Sequence, residues 1–232
     1  MKDRLKRIAA ESAAELVQDG DVVGLGTGTT ARHVLQVLRE RVEKEGLRIT
    51  GIPTSADTRI LAVKLGLRLS TLEEHPELDI AIDGADQLTR RLELIKGGGG
   101  ALLREKVVAN CAKRFVVVAD ESKLVERLKM PVPVEVLPFA WKPVELALRE
   151  MGALDVRLRT GSGKAGPVMT DNGNYILDAS FGEIEKPERL EAELRDITGV
   201  LECGIFCPAI VGEVHLGTRH GPRVLGQGRE VK

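Results

Sequence analysis

No apolar run in the 232 residues approaches the roughly 20 residues that a helix needs to cross a bilayer, so no membrane-spanning segment is expected. An excess of basic charge is also missing. The chain carries 34 Lys and Arg against 35 Asp and Glu, a formal net charge of −1. Binding a phosphate backbone needs a clustered positive surface, so no nucleic-acid partner is expected. Cysteine is limited to Cys111, Cys203 and Cys207, and an odd count at these spacings excludes a disulfide framework. Cys203 and Cys207 are four apart with no third or fourth ligand beside them, and they read as small buried hydrophobes. The four histidines, His33, His75, His215 and His220, are scattered and give imidazole metal ligation no support. Amides are scarce, a trait shared with heat-adapted proteins and without bearing on function.

What is present is ordinary for a soluble globular protein: 43% hydrophobic and 30% charged residues, over a length that allows one large domain or two modest ones. The opening segment MKDRLKRIAAESAAELVQDG mixes its charges and lacks an apolar core and cleavage site. It reads as an amphipathic helix rather than a signal peptide, and a cytoplasmic location is expected. Its apolar positions Leu5, Ile8, Ala9, Ala13, Leu16 and Val17 recur at helical spacing, with Gly20 as a cap.

Strand and helix patterns then alternate. DVVGLG, LRITGI, LDIAI and RFVVVA read as buried strands, separated by helices, the last over residues 101–112. This predicts an α/β fold: an open, mostly parallel, Rossmann-like sheet with helices on both faces. The pattern changes at KMPVPVEVLPFAWKP, with prolines at 131, 133, 138 and 143. Beyond it the sequence predicts a helix over 142–151, a strand in ALDVRLRT, a hairpin in GPVMTDNGNYILDASF turning at Asn172 and Gly173, a helix over 187–198 and a strand VLECGIF. Residues 130–206 are therefore expected to form a small α+β domain. Residues 1–129 and 207–232 would form the catalytic one, IVGEVHLGT returning as its last strand.

Four polar signals, TGTT, TSAD, DGAD and DESK, each directly follow a strand. In an open parallel sheet these positions share the carboxyl edge, where ligands bind. GLGTGTTA fits the relaxed dinucleotide fingerprint through Gly26, Gly28 and Ala31, but the second strand ends GIPTS, without the acid that would hold a ribose hydroxyl. Three hydroxyls, Thr27, Thr29 and Thr30, stand in the loop instead. Hydroxyls with free amides at a helix start make a cradle for a small phosphate; a plain capped turn is the alternative. Asp83 and Asp86 bracket Gly84 and Ala85. They could hold a divalent cation, accept from sugar hydroxyls, or only shape an Asx turn.

IKGGGGALLREKVVA raises its own question: why four glycines abut a helix. Gly loses the most backbone freedom on folding, so four in a row imply that something approaches the backbone closely. Glu105 shares a small apolar helix face with Ala101, Leu102, Val108 and Ala109. A carboxylate there would be partly desolvated, raising its pKa toward a value useful for proton abstraction. Lys96 supplies a positive charge beside it. The alternative is a Glu in a solvated charge triplet.

In this order and spacing GLGTGTTA, DGAD, KGGGGALLREKVVA and ADESK resemble the type A ribose-5-phosphate isomerases, over essentially the whole chain. The resemblance implies a metal-free, cofactor-free aldose–ketose isomerase of the pentose phosphate pathway, assembled as a homodimer or a dimer of dimers. It implies that Thr27, Gly28, Thr29 and Thr30 hold the phosphate and that Asp83, Gly84, Ala85 and Asp86 bind the sugar. Lys96, Gly97, Gly98 and Gly99 would form the Lys-Gly loop, Glu105 would be the base, and Lys123 a further substrate contact. Catalysis would fall to Glu105, Asp83 and Lys96. Two rival readings remain: a coenzyme A transferase of the same broad fold, with Glu105 as nucleophile, and a non-catalytic sugar-phosphate sensor.

Overall fold

Each apolar run of the first half becomes a strand, and most amphipathic runs a helix. The computed structural model describes residues 1–226 except 162 and 164, together with the backbone of 229–231. Residues 227, 228 and 232 of the expected catalytic domain thus lie outside the described residues. In chain order come α1 (Lys2–Ala14), β1 (Val22–Leu25), α2 (Thr29–Glu45), β2 (Thr50–Pro53), α3 (Ala56–Lys64) and β3 (Ile80–Gly84). Two short strands follow, β4 (Gln87–Thr89) and β5 (Leu94–Ile95), then α4 (Leu102–Cys111), β6 (Phe115–Asp120) and β7 (Leu124–Val125). The rest comprises β8 (Val132–Val136), α5 (Trp141–Glu150), β9 (Asp155–Leu158), β10 (Tyr175–Ser180), α6 (Pro187–Arg195), β11 (Val200–Cys203), β12 (Ile205–Phe206), β13 (Glu213–Thr218), β14 (Gly221–Gly226) and β15 (Arg229–Val231).

The central sheet has the order β15-β14-β13-β6-β3-β1-β2. Its five strands from β13 to β2 run parallel, and β14 and β15 add an antiparallel edge. Alternation along β6 explains the two-sided burial: Val116 and Val118 join the core beneath α1 and α2, whereas Phe115, Val117 and Ala119 join the core beneath α4. On β3 the same alternation sends Ile80 and Ile82 to the α1–α2 side and Ala81 to the α4 side. Asp83, two residues on from Ala81, therefore faces α4.

A second sheet, β11-β8-β10-β9, is antiparallel and packs a third core of Val132, Val134, Val136 and Leu177 against Val144, Leu148 and Leu194 of α5 and α6. Four expectations need correction. Gly20 does not cap α1, which ends at Ala14; with φ 93 it turns the chain into β1. The turn at Asn172 and Gly173 forms, but β10 pairs with β8 and β9 rather than with the arm before the turn. VLECGIF is two strands in two sheets, because Gly204 breaks it where the chain crosses: Gly204 receives the Lys96 amide at 2.8 Å, and a Cβ there would lie 2.3 Å from Lys96 O. The resulting third sheet, β12-β5-β4-β7, was not expected at all. Finally, β13 is not the last strand; β14 folds back on it.

Candidate active site

A crevice of about 190 Å³ opens at the carboxyl edge of β1, β3 and β6. It is lined by Thr27–Thr30, Gly84–Asp86, Lys96–Gly99, Glu105 and Lys123, all expected, and by Lys2, Lys6 and Asp120, which were not. Three of the four polar signals thus line it. TSAD lies behind it, supporting the first.

The floor is a buried triad. Lys96 Nζ stands 3.0 Å from Asp83 Oδ2 and 3.2 Å from Glu105 Oε2, and donates to Gly84 O at 2.6 Å. All three side chains are at most 4% exposed. Asp83 Oδ1 accepts from the amides of Thr27 (2.9 Å) and Gly84 (2.7 Å), which fixes the carboxylate. Gly26 is required here, since a Cβ would sit 2.2 Å from that same Oδ1. Asp83 Oδ2 and Glu105 Oε2 have the ammonium at ion-pair distance but no well-aligned hydrogen bond. Both oxygens therefore rest against the ammonium alone. The positive charge that faces Asp83 is an ammonium rather than a site for a cation between Asp83 and Asp86; Asp86 Oδ2 instead takes the Gly98 amide at 2.7 Å.

Burial sets the protonation. Desolvation pushes Glu105 up to about 8, with the Asp83 charge adding and Lys96 opposing. Desolvation likewise raises Asp83, against Lys96 and two backbone amides. For Lys96, burial favours the neutral amine, but Asp83 and Glu105 outweigh it and hold the ammonium above the usual lysine range. An always-charged lysine between two reluctant carboxylates can stabilise a developing oxyanion while one carboxylate exchanges a proton.

The opposite end of the crevice is basic. α2 begins there, and its first intrahelical amide is Arg32 N–H to Gly28 O, leaving the amides of Thr29, Thr30 and Ala31 without acceptors in the helix. Lys2, Lys6 and Lys123 surround that helix start, and Lys6 Nζ donates to Thr29 Oγ1 at 2.8 Å. Lys2 and Lys6 were legible as a pair four apart on one helix face. Asp120 is less so: it accepts from Ser122 and shapes the turn that presents Lys123. The Thr27 hydroxyl does not face this end. It bonds Thr54 Oγ1 (2.7 Å) and Ser55 Oγ (2.8 Å), tying the β1–α2 loop to the start of α3.

The four glycines divide the work. Gly97 and Gly100 have φ of 99° and 78°, and a Cβ on Gly98 would press on Asp86 Oδ1 at 2.8 Å. Gly99 alone has ordinary φ and room for a side chain.

The family model described as ribose 5-phosphate isomerase A (phosphoriboisomerase A) matches residues 50–221. The chain belongs to the ribose 5-phosphate isomerase A family. It is 52% identical over 216 residues to the ribose-5-phosphate isomerase A of Methanosarcina acetivorans, covering 93% of this chain and 91% of that one. Its fold matches the solved ribose 5-phosphate isomerase A of Methanocaldococcus jannaschii with a TM-score of 0.91 and 46% identity, over 95% of this chain and 97% of that one. It also matches a D-ribose-5-phosphate isomerase in complex with phospho-erythronic acid, with a TM-score of 0.94 and 42% identity, over 97% and 99% of the two chains. The chain is accordingly an isomerase of this family. No helix among the described residues is long and apolar enough to cross a membrane.

Proposed function

We propose that this chain interconverts ribose 5-phosphate and ribulose 5-phosphate, with Glu105 moving a proton between C2 and C1. The observation that carries this reading is the buried Glu105–Lys96–Asp83 triad facing a basic helix start across one small crevice. Phosphate on the amides of Thr29 and Thr30, with Lys6 and Lys123, anchors one end of the sugar. That binding energy can hold C2 of the open aldehyde against Glu105. Asp83, with a neighbouring proton donor, assists ring opening.

Glu105 then removes the C2 proton, and the electron pair forms the C1–C2 double bond of a cis-enediolate. Negative charge gathers on the former aldehyde oxygen, where Lys96 stabilises it; one such donor is typically worth about 3 kcal/mol. Glu105 returns its proton to C1, and the hydroxyl proton on O2 passes to O1 within reach of Lys96. C1 is reduced as C2 is oxidised, so there is no net redox change and no group transfer, and the reaction calls for no external electron carrier. The size of the crevice, about 190 Å³, favours a sugar monophosphate over a coenzyme-sized ligand.

We place the reaction in the non-oxidative pentose phosphate pathway of the cytoplasm. The chain is proposed to act as a homodimer, or a dimer of dimers.

The test is ribulose 5-phosphate formation in excess chelator by the wild type and Glu105→Gln side by side. Rapid conversion by the wild type, with a loss of three or more orders of magnitude in the variant, is expected. An equally active variant would remove the general-base role.

A further inference from the structure

Arg159 follows β9 in the second sheet and is not among the residues that line the crevice. Its Nε donates to Asp178 Oδ2 at 2.8 Å, and its Nη2 pairs with Asp178 Oδ1. This fork holds the guanidinium, which is only 16% exposed. The remaining nitrogen, Nη1, reaches across to the glycine loop and donates to Gly97 O at 2.8 Å and, more weakly, to Gly98 O at 3.4 Å.

The Gly97 carbonyl shares a rigid, planar peptide with the Gly98 N–H, and the two point in opposite directions. That N–H donates to Asp86 Oδ2 at 2.7 Å. One peptide plane is thus gripped at both ends, by Arg159 on the outside and by Asp86 on the crevice side. Neither glycine can resist rotation by itself, because Gly opposes few backbone conformations.

We propose that Arg159 is a positioning residue that acts through the Gly97–Gly98 peptide to orient Asp86 toward the sugar. It gives the second sheet a part in sugar recognition, and it rests on the isomerase reading above. A guanidinium is needed because the site asks for a planar fork on Asp178 and a further donor for the loop, which an ammonium cannot supply together.

The experiment is a double-mutant cycle on kcat/KM for ribose 5-phosphate with Arg159→Met, Asp86→Ala and the double variant. Inhibition by inorganic phosphate is the control for the basic end. Arg159→Met is expected to lower kcat/KM at least tenfold and to change phosphate inhibition less than threefold. Placed on Asp86→Ala, the same substitution should cost less than threefold, because the carboxylate it orients is gone. Additive losses, or an Arg159→Met enzyme as active as wild type, would overturn the proposal. A parallel loss of phosphate inhibition would do so too, showing general damage to the site. If Arg159→Met does not fold, Asp178→Asn repeats the cycle by loosening the same guanidinium. A wild type inactive on ribose 5-phosphate would instead sink the isomerase reading itself.

Discussion

Glu105 is a carboxylate that the fold keeps from ionising. Its ordinary value is 4.5, and burial pushes it up to about 8. A general base acts only when ionised, so kcat/KM should climb with pH and level off above about 8. A limb centred near 4.5 in the pH–rate profile would show that the carboxylate is not desolvated in the working enzyme. The same shift has a stability consequence of fixed sign. Between pH 4.5 and 8 the folded state keeps a proton that the unfolded chain has released, so stability falls as pH rises through that window. Glu105→Gln carries no such proton. Its Tm relative to wild type should therefore increase from pH 5 to pH 8 and then stay level, as read by calorimetry across a pH series. A constant difference would mean that Glu105 titrates alike in both states. At this scale the sequence was informative, because Glu105 shares a face with Ala101, Leu102, Val108 and Ala109. It also put Lys96 beside Glu105, but it could not show that Asp83 closes on that face from β3, since Asp83 is not near in sequence.

The start of α2 is the element most exposed to test. The expectation of a phosphate cradle was legible because a Gly-Thr loop between strand and helix leaves free amides at a helix N-terminus. The directions of the hydroxyls were not, since they depend on what packs behind the loop. Thr30 lines the crevice, whereas the Thr27 hydroxyl is spent on Thr54 and Ser55. Thr30→Ala should therefore weaken ribose 5-phosphate more than unphosphorylated ribose. Thr27→Val should chiefly lower stability, by about 1–2 kcal/mol, by leaving buried hydroxyls short of a partner. Inhibition by inorganic phosphate and a urea titration on both variants separate the two roles. A Thr27→Val enzyme with intact stability and lost phosphate binding would reverse the assignment. The strand VLECGIF shows why some elements were not legible. Its seven residues have the composition of one buried strand, and only the close passage of Lys96 O at Gly204 divides them between two sheets.

Across the whole molecule, the change of pattern after the prolines foretold a second α+β unit, but nothing foretold that its contact with α4 would be polar. Arg104 reaches Asn172 and the Asp171 carbonyl, Arg159 holds the glycine loop, and Lys106 is buried between α6 and β11. Lys106 Nζ lies 2.6 Å from Glu191 Oε1 and 2.8 Å from Glu202 Oε1, above the face of Phe206. Glu191, Glu202 and Cys203 are spaced as metal ligands could be, but the ammonium already supplies their positive charge. Burial favours the neutral amine, yet the carboxylates of Glu202 and Glu191 outweigh it and keep the group charged. Removing one partner from a buried charge cluster strands the others, which commonly costs about 3–5 kcal/mol. Lys106→Met should lose that much by chemical denaturation, since Glu202 is left buried with only the half-exposed Arg195, 3.7 Å away, as counter-charge. Adding Glu202→Met should recover part of the loss, because a matched apolar pair avoids the cost of burying charge. Glu191→Gln should cost less than Lys106→Met, as its side chain is 15% exposed and can reach water. An unchanged denaturation midpoint in Lys106→Met would mean that water already reaches Glu202, and that this ion cluster does not hold the two sheets together.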